Sequence, residues 1–453
     1  MTHHSAAGGR LGLSRLLSFP FLVAMLLPLA AGATTIDQAL TAAYQNNAQL
    51  AAQRQALNAA KDQVDTVESG WKPRVSVTGS YGRTHMDGKF SSAFAAFSQP
   101  GQPSVLPLTL HGSAVGLEVE QPLYEGGRTT AALNQAHSLV SEQQATLDGT
   151  EEQVFLSAAQ VYLDVLTNKA VLNLEKRNVH VLEQQLKSAQ ANFDHGEATR
   201  TDVAQSQARL AGARAEVIQA EGALREAKAS YRRVIGVEPE NLEQPAALRD
   251  LPASLSEALS LAGQNYPVVA ARYAERAAQY HVDTLNSRFS PSISLNGSYL
   301  HANDPQFGFS QLNTGSIMLS LTVPIYQGGA LSAQKSHAHH LAEQSHEQMI
   351  DAQRAASEQA TRAWQAYQTA RAALKSISAQ IDAAKIAFQG VVNEHRVGER
   401  TQLDVLNAQQ DLLSARVNRV RAERDMRVAA YALKAATGGL VAENVLPKGG
   451  AVQ

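Results

Sequence analysis

Residues 121–128 read QPLYEGGR and residues 323–330 read VPIYQGGA. Each stretch joins a proline to a tyrosine and a glycine doublet, and the copies stand 324 − 122 = 202 residues apart. Before the first copy, Val115, Leu117 and Val119 alternate with polar residues; before the second, Ile317, Leu319, Leu321 and Val323 do the same. Period two is the mark of a strand with one apolar face. After the first doublet no proline interrupts a helical pattern that runs to Asp194, and the second half answers with a helix of the same length. Each has roughly 67 residues and so spans about 100 Å at 1.5 Å per residue. Each motif therefore marks the point where a strand hands the chain to a long helix. Proline suits that point, because it ends a ladder and starts a helix without losing an internal bond.

The duplication extends outward from these motifs. GEATRTDV (196–203) returns as GERTQLDV (398–405), with 398 − 196 = 202 again. Trp71-Lys72-Pro73 matches Phe289-Ser290-Pro291 at an offset of 218, so the first half carries 218 − 202 = 16 extra residues between Pro73 and Pro122. Each half reads helix, strand, strand, long helix, shorter helix. The first helix is expected from Ile36 to Gly70 with Thr35 as N-cap, and its counterpart from Ser254 to Arg288. Val75, Val77, Gly79 and Tyr81 form the first alternating run, matched by Ile293, Leu295, Gly297 and Tyr299. Arg83 to Gly112, with Pro100, Pro103 and Pro107, is expected to be a long loop. In the long helix Val165, Leu172, Val179, Leu186 and Phe193 recur every seven residues, a coiled-coil spacing. Shorter helices are expected over Thr201–Ile235 and Thr401–Thr437. Two half-length helices stacked end to end would cover one long rod.

The expected organisation is a signal peptide over residues 1–33, repeats over 34–236 and 254–438, a linker over 237–253 and a tail over 439–453. Arg10 and Arg15 precede an apolar run interrupted by Pro20 and Pro28, and Ala31-Gly32-Ala33 offers a cleavage site. The run is short for a membrane anchor, the alternative reading. No later stretch reaches the roughly 20 apolar residues of a spanning helix, so any membrane passage falls to a barrel. A net charge of −2 supplies no electrostatic footprint for nucleic acid. The absence of cysteine excludes disulfides, thiolate metal sites and a lipid-anchored cysteine. No nucleotide-binding, metalloprotease or serine-hydrolase motif is present, and neither an enzyme nor a cofactor is expected. His337, His339, His340 and His346 are read as surface histidines rather than a metal site.

Four strands per chain cannot close a transmembrane barrel, for which about eight is the minimum, and an eight-stranded interior is filled by side chains. Three chains give twelve strands and a lumen, and cyclic symmetry turns their helical rods into a tube. Pro73, Pro122, Pro291 and Pro324 are placed at the strand–helix junctions. Trp71, Tyr124, Phe289 and Tyr326 beside them are read as an aromatic girdle at the lipid boundary, with core aromatics at domain joints as the alternative.

The pair QPLYEGGR and VPIYQGGA resembles the strand-to-helix signature of TolC-like outer-membrane efflux proteins. VGERTQLDVL (397–406) is similar to that family's periplasmic tip motif, and residues 195–203 carry a weaker copy. The resemblance covers the whole mature chain. It implies an internally duplicated α+β membrane protein in the outer membrane, with a long coiled-coil α-helical periplasmic barrel and a transmembrane β-barrel. It further implies a homotrimer, a periplasmic adaptor, an inner-membrane transporter of ABC, RND or MFS type, and outer-membrane lipid as surroundings. Gly196 and Gly398 are then the adaptor-docking turns. Asp202, Arg400 and Thr201 fall on the family's closed-tip network, and His395 stands where the family has a tyrosine. The acidic constriction falls on Asp404 and Asn407, of which only Asp404 is acidic. The bland reading of Asp202 and Asp404 is as helix N-terminal acids that favour the dipole. A periplasmic coiled-coil scaffold would explain the heptads but not the duplicated strands and prolines. The sequence does not choose between drug or metal efflux and type I protein secretion, and by analogy the missing lipid-anchor cysteine tilts the reading toward the non-lipidated, shared-duct kind.

Overall fold

A computed structural model describes residues 34–89, 105–306 and 309–442 of the chain. The expected signal peptide, the tail beyond residue 442, and Pro100 and Pro103 lie outside the described residues. In chain order the elements are α1 (Ile36–Asn46), α2 (Ala48–Glu68), β1 (Arg74–Lys89), β2 (Val105–Tyr124), α3 (Arg128–Asp194) and α4 (Arg200–Ile235). The second half supplies α5 (Leu255–Ala262), α6 (Tyr266–Asn286), β3 (Ser292–Gln306), β4 (Phe309–Thr322), α7 (Ala330–Arg396) and α8 (Gln402–Ala436). Both long helices, α3 and α7, have 67 residues. No helix of the described residues is long and apolar enough to cross a membrane.

The leading helix of each repeat, expected as one rod, is broken. In the first, Asn47 leaves the helical region at φ −74° and ψ 121°. Its side-chain oxygen accepts from the backbone N–H groups of Gln49 and Leu50, capping α2. Its amide nitrogen donates to the Val234 carbonyl at the end of α4. In the second, Asn265 caps α6 ahead of Pro267 and donates to the carbonyls of Ala435 and Ala436 at the end of α8. The offsets are 265 − 47 = 218 and 436 − 234 = 202, the two offsets of the repeat. An asparagine that caps one helix while holding the last turn of another satisfies orphan groups at both ends.

The four strands form one antiparallel sheet in the order β1-β2-β3-β4. Strands β1 and β2 run into the segment expected as a loop from both sides and take up half of it, pairing out to Lys89↔Val105. Two prolines lie inside β2 and each falls where one neighbour is missing. Pro107 pairs with Asp87, but β3 joins β2 only from Ser113. Pro122, expected at the strand's end, instead pairs with Ser294 at a bulge, beyond the last β1 partner at Glu120. A missing ladder donor is tolerated on an unpaired side. The other three junction prolines stand beside strand ends as expected.

The main core lies midway along the helices, where α1, the middle of α3 and the ends of α4 and α8 meet. Leu40, Leu50, Phe155, Tyr162, Tyr231 and Ile235 are fully buried there. The Tyr162 hydroxyl lies 2.7 Å from the carbonyls of both Thr34 and Glu243, fixing the segment just before α1 to the linker. Packing is unequal between the repeats. Helix α3 buries Val154, Phe155, Ala158, Ala159, Tyr162 and many others, whereas α7 buries only Leu331, Ala338, Ala360 and Ala363.

Candidate functional site

At the end farthest from the sheet, each repeat makes the same tight turn. Gly196 follows α3 at φ 79° and Gly398 follows α7 at φ 84°, a left-handed conformation that glycine adopts without penalty. Backbone bonds from Glu197 N–H to the Asn192 carbonyl and from Glu399 N–H to the Glu394 carbonyl close the two turns identically. A Cβ at either glycine would meet nothing within 4 Å, so the dihedral, not crowding, selects glycine.

Each turn leads into a capping box. Thr199 caps α4: its hydroxyl accepts from the Asp202 N–H, and the Asp202 carboxylate accepts from the Thr199 N–H at 2.9 Å and hydroxyl at 2.7 Å. Thr401 and Asp404 repeat the arrangement at 3.0 and 2.8 Å. Both carboxyls are held below their ordinary value, first by the threonine side-chain hydrogen bond and then by the threonine backbone. For Asp202 the nearby His395 adds to the effect. The two acids are equivalent in the repeat, 404 − 202 = 202, and each serves a helix N-terminus.

Within the protomer Asp202 and Arg400 do not meet. The Arg400 Nε donates to Glu394 Oε2 at 2.9 Å inside its own turn, and its charge is reinforced by Glu394 and then Asp404. His395 Nδ1 donates to the Arg400 carbonyl at 2.9 Å. Thr201 is exposed, and among the described residues its side chain makes no hydrogen bond. Asn407 accepts from Arg209 Nη2 at 2.8 Å, tying α8 to α4.

A neighbouring cluster escaped the sequence reading. Gln409 on α8 is 8% exposed and donates to Asn178 Oδ1 at 2.9 Å, while Gln185 donates to Gln409. These amides join the second repeat to α3 of the first. Asn178 and Gln185 stand seven residues apart, so the signal was an amide pair at heptad spacing, a known device for fixing helix register. On α7, His346 lies 2.9 Å from Glu275 of α6, whose carboxylate raises the imidazole's affinity for a proton.

At the opposite end, the sheet has two chemically distinct faces. Val75, Val77, Tyr81, Val115, Leu117, Leu295, Tyr299, Ile317, Leu319 and Leu321 share one face and are all exposed, Val77 at 70% and Ile317 at 81%. The other face carries Ser76, Thr78, Glu118, Glu120, Asn296, Ser298 and Ser316, with Leu300 and Met318 among them, and so is mainly polar. Ser298 and Ser316 hydrogen-bond across it at 2.8 Å. Trp71, Tyr124, Phe289 and Tyr326 are exposed beside the junctions.

The family model described as "Outer membrane efflux protein" matches residues 39–237 and 258–439. The outer membrane efflux protein BepC of Brucella suis is 32% identical over 418 residues, 92% of this chain and 88% of that protein. The outer membrane protein TolC of Vibrio cholerae is 24% identical over 434 residues, 92% of this chain and 93% of that one. The alkaline protease secretion protein AprF of Pseudomonas aeruginosa is 23% identical over 66% of this chain and 64% of its own length. Among solved structures, CusC shares the fold at a TM-score of 0.77 and 17% identity, over 89% of this chain and 92% of that one.

Proposed function

The chain belongs to the outer membrane efflux protein family, and from that premise we propose that three copies form one conduit whose tip is an electrostatic gate. The protein is an outer-membrane channel of efflux or type I secretion machinery, with a periplasmic extension, and works with adaptor and inner-membrane transporter components. In the proposed trimer, residues 34–236 and 254–438 act as paired units around the axis. Twelve strands close the barrel, and the helices continue it as a tunnel. The adaptor docks on the Gly196 and Gly398 turns, and an ABC, RND or MFS transporter selects the cargo. The reading assigns no catalysis.

The observation that carries the proposal is the four-stranded sheet, apolar on one face and mainly polar on the other, joined to two 67-residue helices. Such a sheet cannot stay open in lipid, where every edge group needs a partner. Asp202 and Arg400 support the gate because each is presented at the tip of a different repeat and hydrogen-bonds within its own turn. In the trimer they would face each other across subunit boundaries, with Thr201 and His395 alongside. A charge-assisted pair there is strong enough to hold a closed tip and exposed enough for an adaptor to break. Three Asp404 carboxylates would concentrate cations at the axis, and Asn407, neutral and held by Arg209, adds no second ring.

Single-channel current through the purified mature protein in planar bilayers tests this reading. Wild type is expected to show small, cation-selective steps, and Arg400→Ala to raise the conductance several-fold. Unchanged steps in a correctly assembled variant would remove Arg400 from the gate. No current from folded wild type would return the chain to a periplasmic scaffold.

A further inference from the structure

On the apolar face of the sheet, large polar side chains stand at a common depth in all four strands, with Ser113 one step below on β2. Arg83 lies ten residues beyond Pro73 and His301 ten beyond Pro291; His111 lies eleven before Pro122 and Asn313 eleven before Pro324. The register places Arg83 opposite His111 and His301 opposite Asn313. All four share the face that carries Val75, Val77, Leu117, Tyr299 and Ile317. Each hairpin thus bears one polar rung at the same height above its inner junction.

That height is the thickness of the membrane's apolar layer. Ten residues of strand cover about 34 Å, and a tilt of about 40° leaves about 26 Å along the barrel axis, against a lipid-facing band of about 25 Å. With the prolines and their aromatic neighbours at the inner boundary, the rungs stand at the outer one. The outer leaflet of such a membrane presents phosphorylated glycolipid headgroups there.

We propose that the Arg83–His111 rung binds a phosphate of an outer-leaflet glycolipid headgroup, with the His301–Asn313 rung as its counterpart in the second hairpin. The inference rests on the sheet being the barrel wall. Arg83 and His111 are exposed, and among the described residues Arg83 has no ion-pair partner. A guanidinium offers a planar fork that matches phosphate oxygens, and the imidazole beside it supplies an N–H donor in either protonation state. In the second rung His301 Nδ1 donates to Asn313 Oδ1 at 2.6 Å, which leaves the Asn313 amide nitrogen as donor. The first rung carries the Arg83 guanidinium and the second has no guanidinium, so the second is the weaker. Acyl chains of a lipid held at Arg83 would run down over Tyr81, Val77 and Val75, which are 64% to 82% exposed. The commitment is to the lipid rather than to free phosphate because the cation tops an apolar face, not a polar pocket.

The test uses purified full-length mature protein, immobilised in detergent, and a fluorescent diphosphoryl disaccharide lipid beside its dephosphorylated counterpart. Wild type is expected to retain the phosphorylated lipid about fivefold better. Arg83→Gln with His111→Gln should bring the two lipids to parity, with heat-modifiable migration confirming an intact barrel. Asn313→Ala should lower the preference less. Parity in wild type, or an unchanged preference in the double variant, overturns the proposal. So does loss of retention in a few millimolar inorganic phosphate, which would mark a free-anion site. Vesicle flotation separates the premises: wild type that fails to insert overturns the barrel reading and this inference together. Insertion with lipid parity overturns this inference alone.

Discussion

Two asparagines hold the middle of the molecule. Asn47 and Asn265 each cap a helix and bond the last carbonyls of another, and Asn265 is the more buried, at 8% exposure. Replacing either by alanine leaves a cap and a carbonyl unmet, at a cost of about 1–2 kcal/mol. Asn265→Ala is expected to lower the thermal midpoint more than Asn47→Ala, read by circular dichroism. Beside Asn265 stands Glu152, 7% exposed, with Oε1 buried and unpartnered. Burial pushes its carboxyl up to about 8, against partial relief from the Leu440 backbone and the Asn265 side chain. A folded value above the unfolded one means the native state binds the proton more tightly, so stability falls as pH rises from about 4.5 to about 8. Glu152→Gln should therefore be neutral near pH 4.5 and increasingly stabilising up to pH 8. A gain independent of pH would remove ionisation as the cause. None of this was legible in the sequence. An Asn-Asn doublet inside a good helical pattern reads as tolerated, and only the matched offset of Asn47 and Asn265 exposes the joint.

The elements themselves were largely legible, because periodicity and proline are local signals. Long helices, four strands and two glycine turns follow from patterns that need no knowledge of the neighbours. Errors arose where the deciding contact was distant. Pro107 argues for a loop until β3 is known to be absent at that level, and Pro122 argues for a strand end until β1 is known to have stopped. At the tip, Asp202 and Asp404 close the same capping box, beside the separate roles that the resemblance implies for them. Thr401→Ala should fray the start of α8 at a cost of about 1 kcal/mol, accelerating amide exchange over residues 402–405 about fivefold. The matching segment of α4, still capped by Thr199, should exchange as before. Equal acceleration in both would mean that the turns are coupled rather than independently capped.

On the scale of the whole chain, the two repeats are alike in element order and unlike in surroundings. Helix α3 is covered over its middle, while α7, of identical length, presents most of its side chains outward, including Ile386 at 70% exposure. In the proposed trimer the missing neighbours of α7 come from the next copy. Ile386→Lys is therefore expected to reduce the fraction of chain that migrates as an oligomer in unheated gels, with little change in helix content. An unaffected oligomer would place that face against solvent. Within the described chain α3 lies against α1, α2, α4, α6 and α8, and α7 against α5, α6 and α8, a difference set by contacts distant in sequence rather than by any local pattern.

The hairpins differ in one further way. The paired strands reach nearly the same distance in both: Lys89 lies 89 − 73 = 16 residues beyond Pro73 and Gln306 lies 306 − 291 = 15 beyond Pro291, so the difference in chain length falls between Lys89 and Val105, 15 residues against two between Gln306 and Phe309. Two nearly equal repeats in each of three copies would give the tube a pseudo-sixfold wall, alike every 60° of rotation. At the far ends of the hairpins that equivalence would end, because connections of 15 and of two residues would alternate around the rim. Anything meeting the protein from outside, whether an antibody or a neighbouring barrel, would read threefold symmetry from a body whose walls approximate six.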